Sequence, residues 1–111
     1  MAFIETPVLQ RVLQKLDGSS IEILVSAPVL EGQDWFTNWS IKGLEDADVN
    51  LSSGGIDSMQ SMMFALSAIG DRIAAEQQEL LFMGSESLQL LRTTPPIEPD
   101  LWSASVQAPT A

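Results

Sequence analysis

The stretch from residue 57 to residue 75 reads Asp57-Ser-Met-Gln-Ser-Met-Met-Phe-Ala-Leu-Ser-Ala-Ile-Gly-Asp-Arg-Ile-Ala-Ala75. Its first four residues form an Asp-x-x-Gln capping box, in which the Asp57 carboxylate accepts from first-turn amides and Gln60 reaches back. Apolar residues then recur every three or four positions, which predicts an amphipathic helix. With Gly84 as the predicted stop, the helix would run about 24 residues, or about 36 Å.

The two sides of this helix differ in side-chain size. One broad stripe is apolar and is expected to pack on a sheet: Met59, Met62, Met63, Leu66, Ile69, Ile73, Leu80 and Leu81. The other side is small-residued and is expected to face solvent in a monomer: it carries Ser61, Phe64, Ala65, Ala68, Arg72 and Ala75. On this side Phe64, Ala68 and Ala75 are predicted to form an interface. Its occupant would be the chain's own tail through Leu101 and Trp102, a second copy, or a different protein. The alternative is that the alanines serve helix propensity alone.

Strands are predicted on the amino-terminal side of the helix. Residues 21–29 alternate apolar and polar, and Pro28 places that end at an edge or strand terminus. After the turn at residues 31–34, Trp35, Thr37, Trp39 and Ile41 share a face. The two strands are predicted to form a hairpin with Trp39 opposite Ala27.

The flanking segments complete the predicted fold class, which is α+β. Residues 8–16 fit helical spacing, yet the turn chemistry of residues 17–20 favours a strand. Short strands are also predicted at residues 49–52 and 88–91. We therefore expect an antiparallel sheet of three to four strands packed by one long helix. Residues 1–92 would form a single domain, and residues 93–111, with four prolines, an extended Pro-rich tail without regular structure.

Composition narrows the possible functions. Five Lys and Arg against 15 Asp and Glu give a net charge of −10, which argues against nucleic-acid and membrane partners. The absence of Cys and His removes thiolate and imidazole metal sites and the common nucleophile–base pairs. We therefore predict no catalytic, cofactor-binding or metal-binding residue, a non-enzymatic protein-interaction or self-associating module, and a possible homodimer. No signal peptide is visible, so a cytoplasmic location is expected.

The alternative function is small-ligand or divalent-cation binding, through the acidic loop 45–50 or a pocket near Trp35 and Trp39. Asp46, Asp48 and Asn50 have calcium-loop spacing. The loop lacks the glycine at its sixth position and the terminal glutamate, which favours a solvated acidic loop instead.

The run Gly55-Ile-Asp-Ser-Met-Gln-Ser-Met62, followed by Ala65-Leu66 and Ile69-Gly70, resembles the helix entry of a family of small, uncharacterised bacterial proteins, a domain of unknown function. Asp34-Trp35 and Gly43-Leu44, at the two ends of a predicted strand, match the same pattern, and the similarity covers roughly residues 11–74. Ser61 stands where the family more often has Ala. The resemblance implies a ββ(β)α arrangement and a bacterial origin, and it implies no activity.

Overall fold

The computed structural model describes residues 3–109, which form one sheet, one helix and a separate hairpin. The elements are β1 (Leu9–Lys15), β2 (Ser20–Val25), β3 (Val29–Glu31), β4 (Asp34–Lys42), β5 (Val49–Gly55), α1 (Ser58–Ala75), β6 (Leu80–Leu81), β7 (Leu91–Thr94) and β8 (Ser103–Val106). Strands β3-β4-β2-β1-β6 are neighbours in that order, and β5 also pairs with β4. The α+β class is confirmed, but the antiparallel sheet has six strands rather than three to four.

The predicted hairpin is present with a different register. β2 pairs with β4 through Val25 and Trp39, and β3 pairs with the same strand through Val29 and Phe36. Three residues, 26–28, therefore oppose two, 37–38, as in a β-bulge. Ser26 holds the bulge because its N–H donates to the Asn38 carbonyl at 2.9 Å and its Oγ accepts from the Asn38 N–H at 3.0 Å. The predicted pairing of Trp39 with Ala27 is wrong, since Ala27 lies in the bulge.

The segment whose structure was ambiguous, residues 8–16, contains a strand, β1. Its register with β2 places Leu9, Arg11 and Leu13 opposite Val25, Ile23 and Ile21. The strand predicted at residues 49–52 is confirmed and continues to Gly55 as β5.

The predicted capping box closes the start of α1. Asp57 Oδ1 accepts from the Gln60 N–H at 2.7 Å, and Gln60 Oε1 accepts from the Ile56 N–H at 2.8 Å. The helix ends at Ala75, however, and does not continue towards Gly84. Residues 76–79 are all polar and offer no apolar side chain to hold another turn on the sheet. The following pair, Leu80–Leu81, joins β1 as β6.

The helix packs on the sheet through a stripe that is rotated towards the side predicted to face solvent. Ser61 and Ala65 were expected on that side, and both are fully buried. Ser61, Ala65, Ile69 and Ile73, spaced by four, are buried against the inner face of the sheet, whereas Met59 and Met63 are exposed. The helix start approaches β5 closely, because a Cβ added to Gly55 would lie 2.5 Å from the Ser61 nitrogen. Only small side chains fit there, so the methionines are turned away. The core consists of Leu13, Ile21, Ile23, Val25, Trp39, Ile41, Leu44, Val49, Ala65, Ile69, Ile73 and Leu80.

The carboxy-terminal segment is not the unstructured extended tail that its prolines predicted. β7 and β8 pair as an antiparallel hairpin, with Leu91 opposite Val106 and Thr94 opposite Ser103. Pro95, Pro96 and Pro99 are confined to the connection between the two strands, so the strands keep their amide donors. The boundary predicted between residues 92 and 93 lies within β7. Of the strand predicted at residues 88–91, only the last residue belongs to a strand, because β7 begins at Leu91.

The hairpin lies against α1 at Gly70, on the side away from the sheet. A Cβ on Gly70 would lie 1.7 Å from the Leu91 carbonyl oxygen, so only glycine permits this approach. Asp71, the next residue, accepts from the Thr93 N–H at 2.9 Å and from the Thr93 hydroxyl at 2.7 Å. The helix is therefore the middle of three layers. Within residues 3–109, no helix combines the length and the apolar character needed to cross a bilayer.

Candidate interaction site

The predicted interface residues are distributed over the helix and the hairpin. Phe64 is half-buried, and its ring meets the Trp102 ring edge to face, with centroids 5.4 Å apart and an interplanar angle of 69°. Ala68 is half-buried at the margin of the core, whereas Ala75 and Leu101 are exposed. The structure thus brings Phe64 and Trp102 together within one chain, and the tail occupies part of the strip predicted for a partner.

A groove remains open between α1 and the hairpin. This helix–hairpin groove has a volume of about 540 Å³ and is lined by Met63, Leu91, Thr94, Ile97, Trp102 and residues 103–105. Its apolar side chains are accessible: Ile97 is 87% exposed, Met63 42% and Trp102 41%. Exposed apolar side chains that are contiguous, rather than scattered, are typical of interaction sites.

Fixed contacts hold both walls of this groove. Trp102 rests on Phe64, and the Leu91 backbone rests on Gly70. The Asp71 carboxylate, which binds Thr93, also lies 3.5 Å from Arg92 Nε. The walls are therefore preorganised, which lowers the entropic cost of binding.

A second apolar opening lies between β1 and α1. This cleft has a volume of about 250 Å³, and its lining includes Leu9, Ile23, Leu66 and Leu90. Leu91 lines both the cleft and the helix–hairpin groove, so the two openings adjoin at this residue. The cleft alone is slightly smaller than common small-molecule sites.

Arg11 is the structural residue that the sequence analysis missed. One of its guanidinium nitrogens, Nη1, donates to the Leu88 carbonyl at 3.0 Å and the Gln89 carbonyl at 2.7 Å. The guanidinium also lies 4.4 Å from the centroid of the Phe82 ring. Arg11 thereby holds the chain before β7 against the sheet. The available signal was that Arg11 shares a face of β1 with the core residue Leu13, because an arginine on a core-facing side of a strand requires polar partners.

The acidic loop does not assemble a cation site. Glu45 accepts from Arg72 through both oxygens, at 3.0 and 3.1 Å, and this hydrogen-bonded pair lowers the pKa of Glu45. Asp46 and Asp48 are exposed. Among residues 3–109, no three side chains of His, Cys, Asp or Glu come close enough together to hold a metal ion.

Trp35 and Trp39, the residues of the alternative ligand pocket, differ in burial. Trp39 is 3% exposed, and its Nε1–H donates to Ser53 Oγ at 3.0 Å inside the core. Trp35 is half-buried. Trp39 is therefore a core residue with a satisfied polar group rather than the wall of an open pocket.

Comparison with families of known proteins matches residues 9–91 to the Domain of unknown function (DUF6968). Neither a curated protein nor a solved structure matches the chain. The matched range runs from the first residue of β1 to the first residue of β7, and so contains the whole sheet and the helix. The chain therefore belongs to the DUF6968 family, and the expected membership of an uncharacterised domain family is confirmed.

Proposed function

We propose that this chain is a non-catalytic protein-interaction module whose helix–hairpin groove receives an apolar segment of another protein. The observation that carries the proposal is the exposure of Met63, Ile97 and Trp102 around one preorganised groove. Aromatic and methionine side chains are enriched at interface centres, and the flexible thioether of methionine adapts to the shape of a partner. A groove of this size accepts a few side chains of a helix or an extended segment.

The charge of the chain favours a different protein over a second copy. Each copy carries a net charge of −10, so two copies repel each other at low ionic strength. Glu98 and Asp100 are exposed in the β7–β8 connection beside Ile97 and Leu101. We therefore expect the partner segment to carry Lys or Arg next to its apolar residues, because complementary charge speeds association and excludes wrong partners.

Site-specific photo-crosslinking tests this proposal. A benzophenone side chain is placed at Ile97 in one protein and at Met83 in a control, since these residues are 87% and 85% exposed. In extracts of the source cells, the Ile97 probe should give a discrete protein adduct, and the Met83 probe should not. Mass spectrometry of the adduct should locate a basic, apolar segment.

A second variant distinguishes binding in the groove from nonspecific crosslinking. Trp102→Asp places a charge in the groove, and it should remove the adduct formed by the Ile97 probe. The same adduct from both probe positions, or an adduct that survives Trp102→Asp, would contradict the proposal. Crosslinking to a second copy of the chain would assign the groove to self-association instead.

A further inference from the structure

The strand β5 lies at an open edge of the sheet. One of its edges pairs with β4 over the full length Val49–Gly55, and within residues 3–109 no other strand pairs with it. The free edge is seven residues long, or about 23 Å at 3.3 Å per residue. Its unpaired backbone N–H and C=O groups are a template for an added strand.

The other edges of the six-stranded sheet carry protection that β5 lacks. β3 has only three residues, and β1 contains Arg11 and Lys15 and is covered at one end by β6. Short length and charged side chains are the usual devices that prevent edge-to-edge pairing. β5 reads Val-Asn-Leu-Ser-Ser-Gly-Gly, without charge and without proline. Asn50, Leu51 and Ser52 are exposed along it.

The small-residued flank of α1 lies above this edge. Leu66 faces the cleft over β1 and β2. Successive residues of a helix are about 100° apart, so Ala68 points about 200° away from Leu66, towards the other side of the helix. Arg72, beside Ala68 on the helical wheel, pairs with Glu45 just before β5. The flank at Ala68 and Ala75 is thus on the β5 side of the helix.

Acidic residues bracket the edge at both ends. Asp46 and Asp48 precede β5, Asp57 follows it, and all three are exposed. In an antiparallel pair of two copies, the start of one strand meets the end of the other, so Asp48 would face Asp57 of the copy. This arrangement is repulsive at neutral pH, whereas an incoming strand with a basic residue at each end would meet carboxylates at both.

We propose that the outer edge of β5 binds, by strand addition, an extended protein segment with an uncharged β-forming centre and Lys or Arg at both ends. Main-chain hydrogen bonds would provide the affinity and the terminal charges the choice of partner. This surface is separate from the helix–hairpin groove, and the proposal stands independently of the groove's occupant.

The probe is the peptide Lys-Thr-Val-Thr-Val-Thr-Lys, titrated into the full chain labelled with ¹⁵N. We expect saturable amide shifts concentrated in residues 49–55. Two N-methylated peptides, each modified at one alternate set of amides, are matched controls, because only one set faces the protein edge. One of them should bind at least about tenfold more weakly, and the other should bind like the parent peptide.

Charge variants test the ends of the site. The triple change Asp46→Asn, Asp48→Asn and Asp57→Asn should weaken binding about tenfold, and asparagine at residue 57 still caps the helix. The control Glu31→Gln, Glu79→Gln and Glu86→Gln makes the same change in net charge at exposed positions away from β5, and it should leave binding within about twofold.

Three results would overturn the proposal. One is the absence of saturable shifts up to about 1 mM peptide, an affinity too weak for a specific site. Another is equal binding of the parent, both N-methylated peptides and a peptide with Glu at both ends. The third is a shift pattern centred on Met63 and Trp102, which would assign the peptide to the helix–hairpin groove and leave β5 without a ligand.

Discussion

At the scale of single residues, hydrogen bonds hold two carboxylates in place, one across a long sequence separation and one within a turn. Arg72 and Glu45 are 27 positions apart, and their two hydrogen bonds connect the end of α1 to the loop before β5. Asp17 accepts from the N–H and the hydroxyl of Ser19, and these bonds lower the pKa of Asp17 in the β1–β2 turn. Both carboxylates are therefore more stable in their charged form when the chain is folded.

The ion pair between Glu45 and Arg72 makes the stability of the fold depend on pH, and the lowered pKa of Glu45 gives the direction of this dependence. Because folding lowers the pKa of Glu45, its stabilising contribution is present above the ordinary glutamate pKa and is lost as the pH falls through the lowered value. Glu45→Gln should therefore reduce the melting temperature at neutral pH, and the difference from the unmodified chain should close in acid. Glu79→Gln removes one exposed carboxylate and serves as the control. A difference that persists unchanged in acid would show that the pair is not its source.

Residue roles could be predicted where the partners are close in sequence. Asp57 and Gln60 were assigned from a spacing of three, and both make capping hydrogen bonds. Arg11 was not assigned, because its partners are the carbonyls of Leu88 and Gln89 and no local pattern indicates them. The sequence left three possible occupants for the small-residued side of the helix, and the contact between Phe64 and Trp102 corresponds to one of them, the chain's own tail.

At the scale of elements, a two-residue period identified β2 and β4, whereas the polar run at residues 76–79 was the missed signal for the helix end. The apolar pattern was extended across residues 76–79 to Leu80 and Leu81, although these leucines pair with β1. The hairpin β7–β8 was not predicted, because the four prolines of residues 93–111 indicated a segment without regular structure. The prolines at 95, 96 and 99 all fall between the two strands.

The start of α1 provides a quantitative test at this scale. Asp57→Ala removes the acceptor for the Gln60 N–H and should lower the free energy of unfolding by about 1 kcal/mol, within a range of about 0.5–2 kcal/mol. Asp57→Ser keeps a capping oxygen and should recover most of that loss. Urea denaturation followed by tryptophan fluorescence measures both. Equal losses from the two variants would show that the capping bond contributes little.

At the scale of the whole molecule, the layered arrangement depends on Gly70 as the contact between helix and hairpin. Alanine in a helix interior is ordinarily about 1 kcal/mol more favourable than glycine. Here the added Cβ would lie 1.7 Å from the Leu91 oxygen, so β7 would have to move. The six-stranded sheet with its helix corresponds to the family match, whereas residues 92–109, most of the hairpin, lie beyond the matched range.

Gly70→Ala should accordingly lower the free energy of unfolding by about 1–3 kcal/mol, the usual cost of overpacking, despite the gain in helix propensity. Amide hydrogen exchange in residues 91–94 should increase at the same time. Ala75→Gly, at an exposed helical position, is the control and should cost no more than about 1 kcal/mol without affecting exchange in β7. A more stable Gly70→Ala variant would mean that the hairpin does not rest on the helix at this point.

The clamp made by Arg11 has a consequence for how the molecule is made. The Leu88 carbonyl lies 77 positions after Arg11, so a ribosome has translated most of the chain before this bond can form. Until then the guanidinium of Arg11 lacks its two carbonyl partners and is left to solvent. A chain interrupted before residue 88 would contain β1–β6 and α1 but would lack the segment that packs against Arg11, and chaperones and proteases would find this face uncovered.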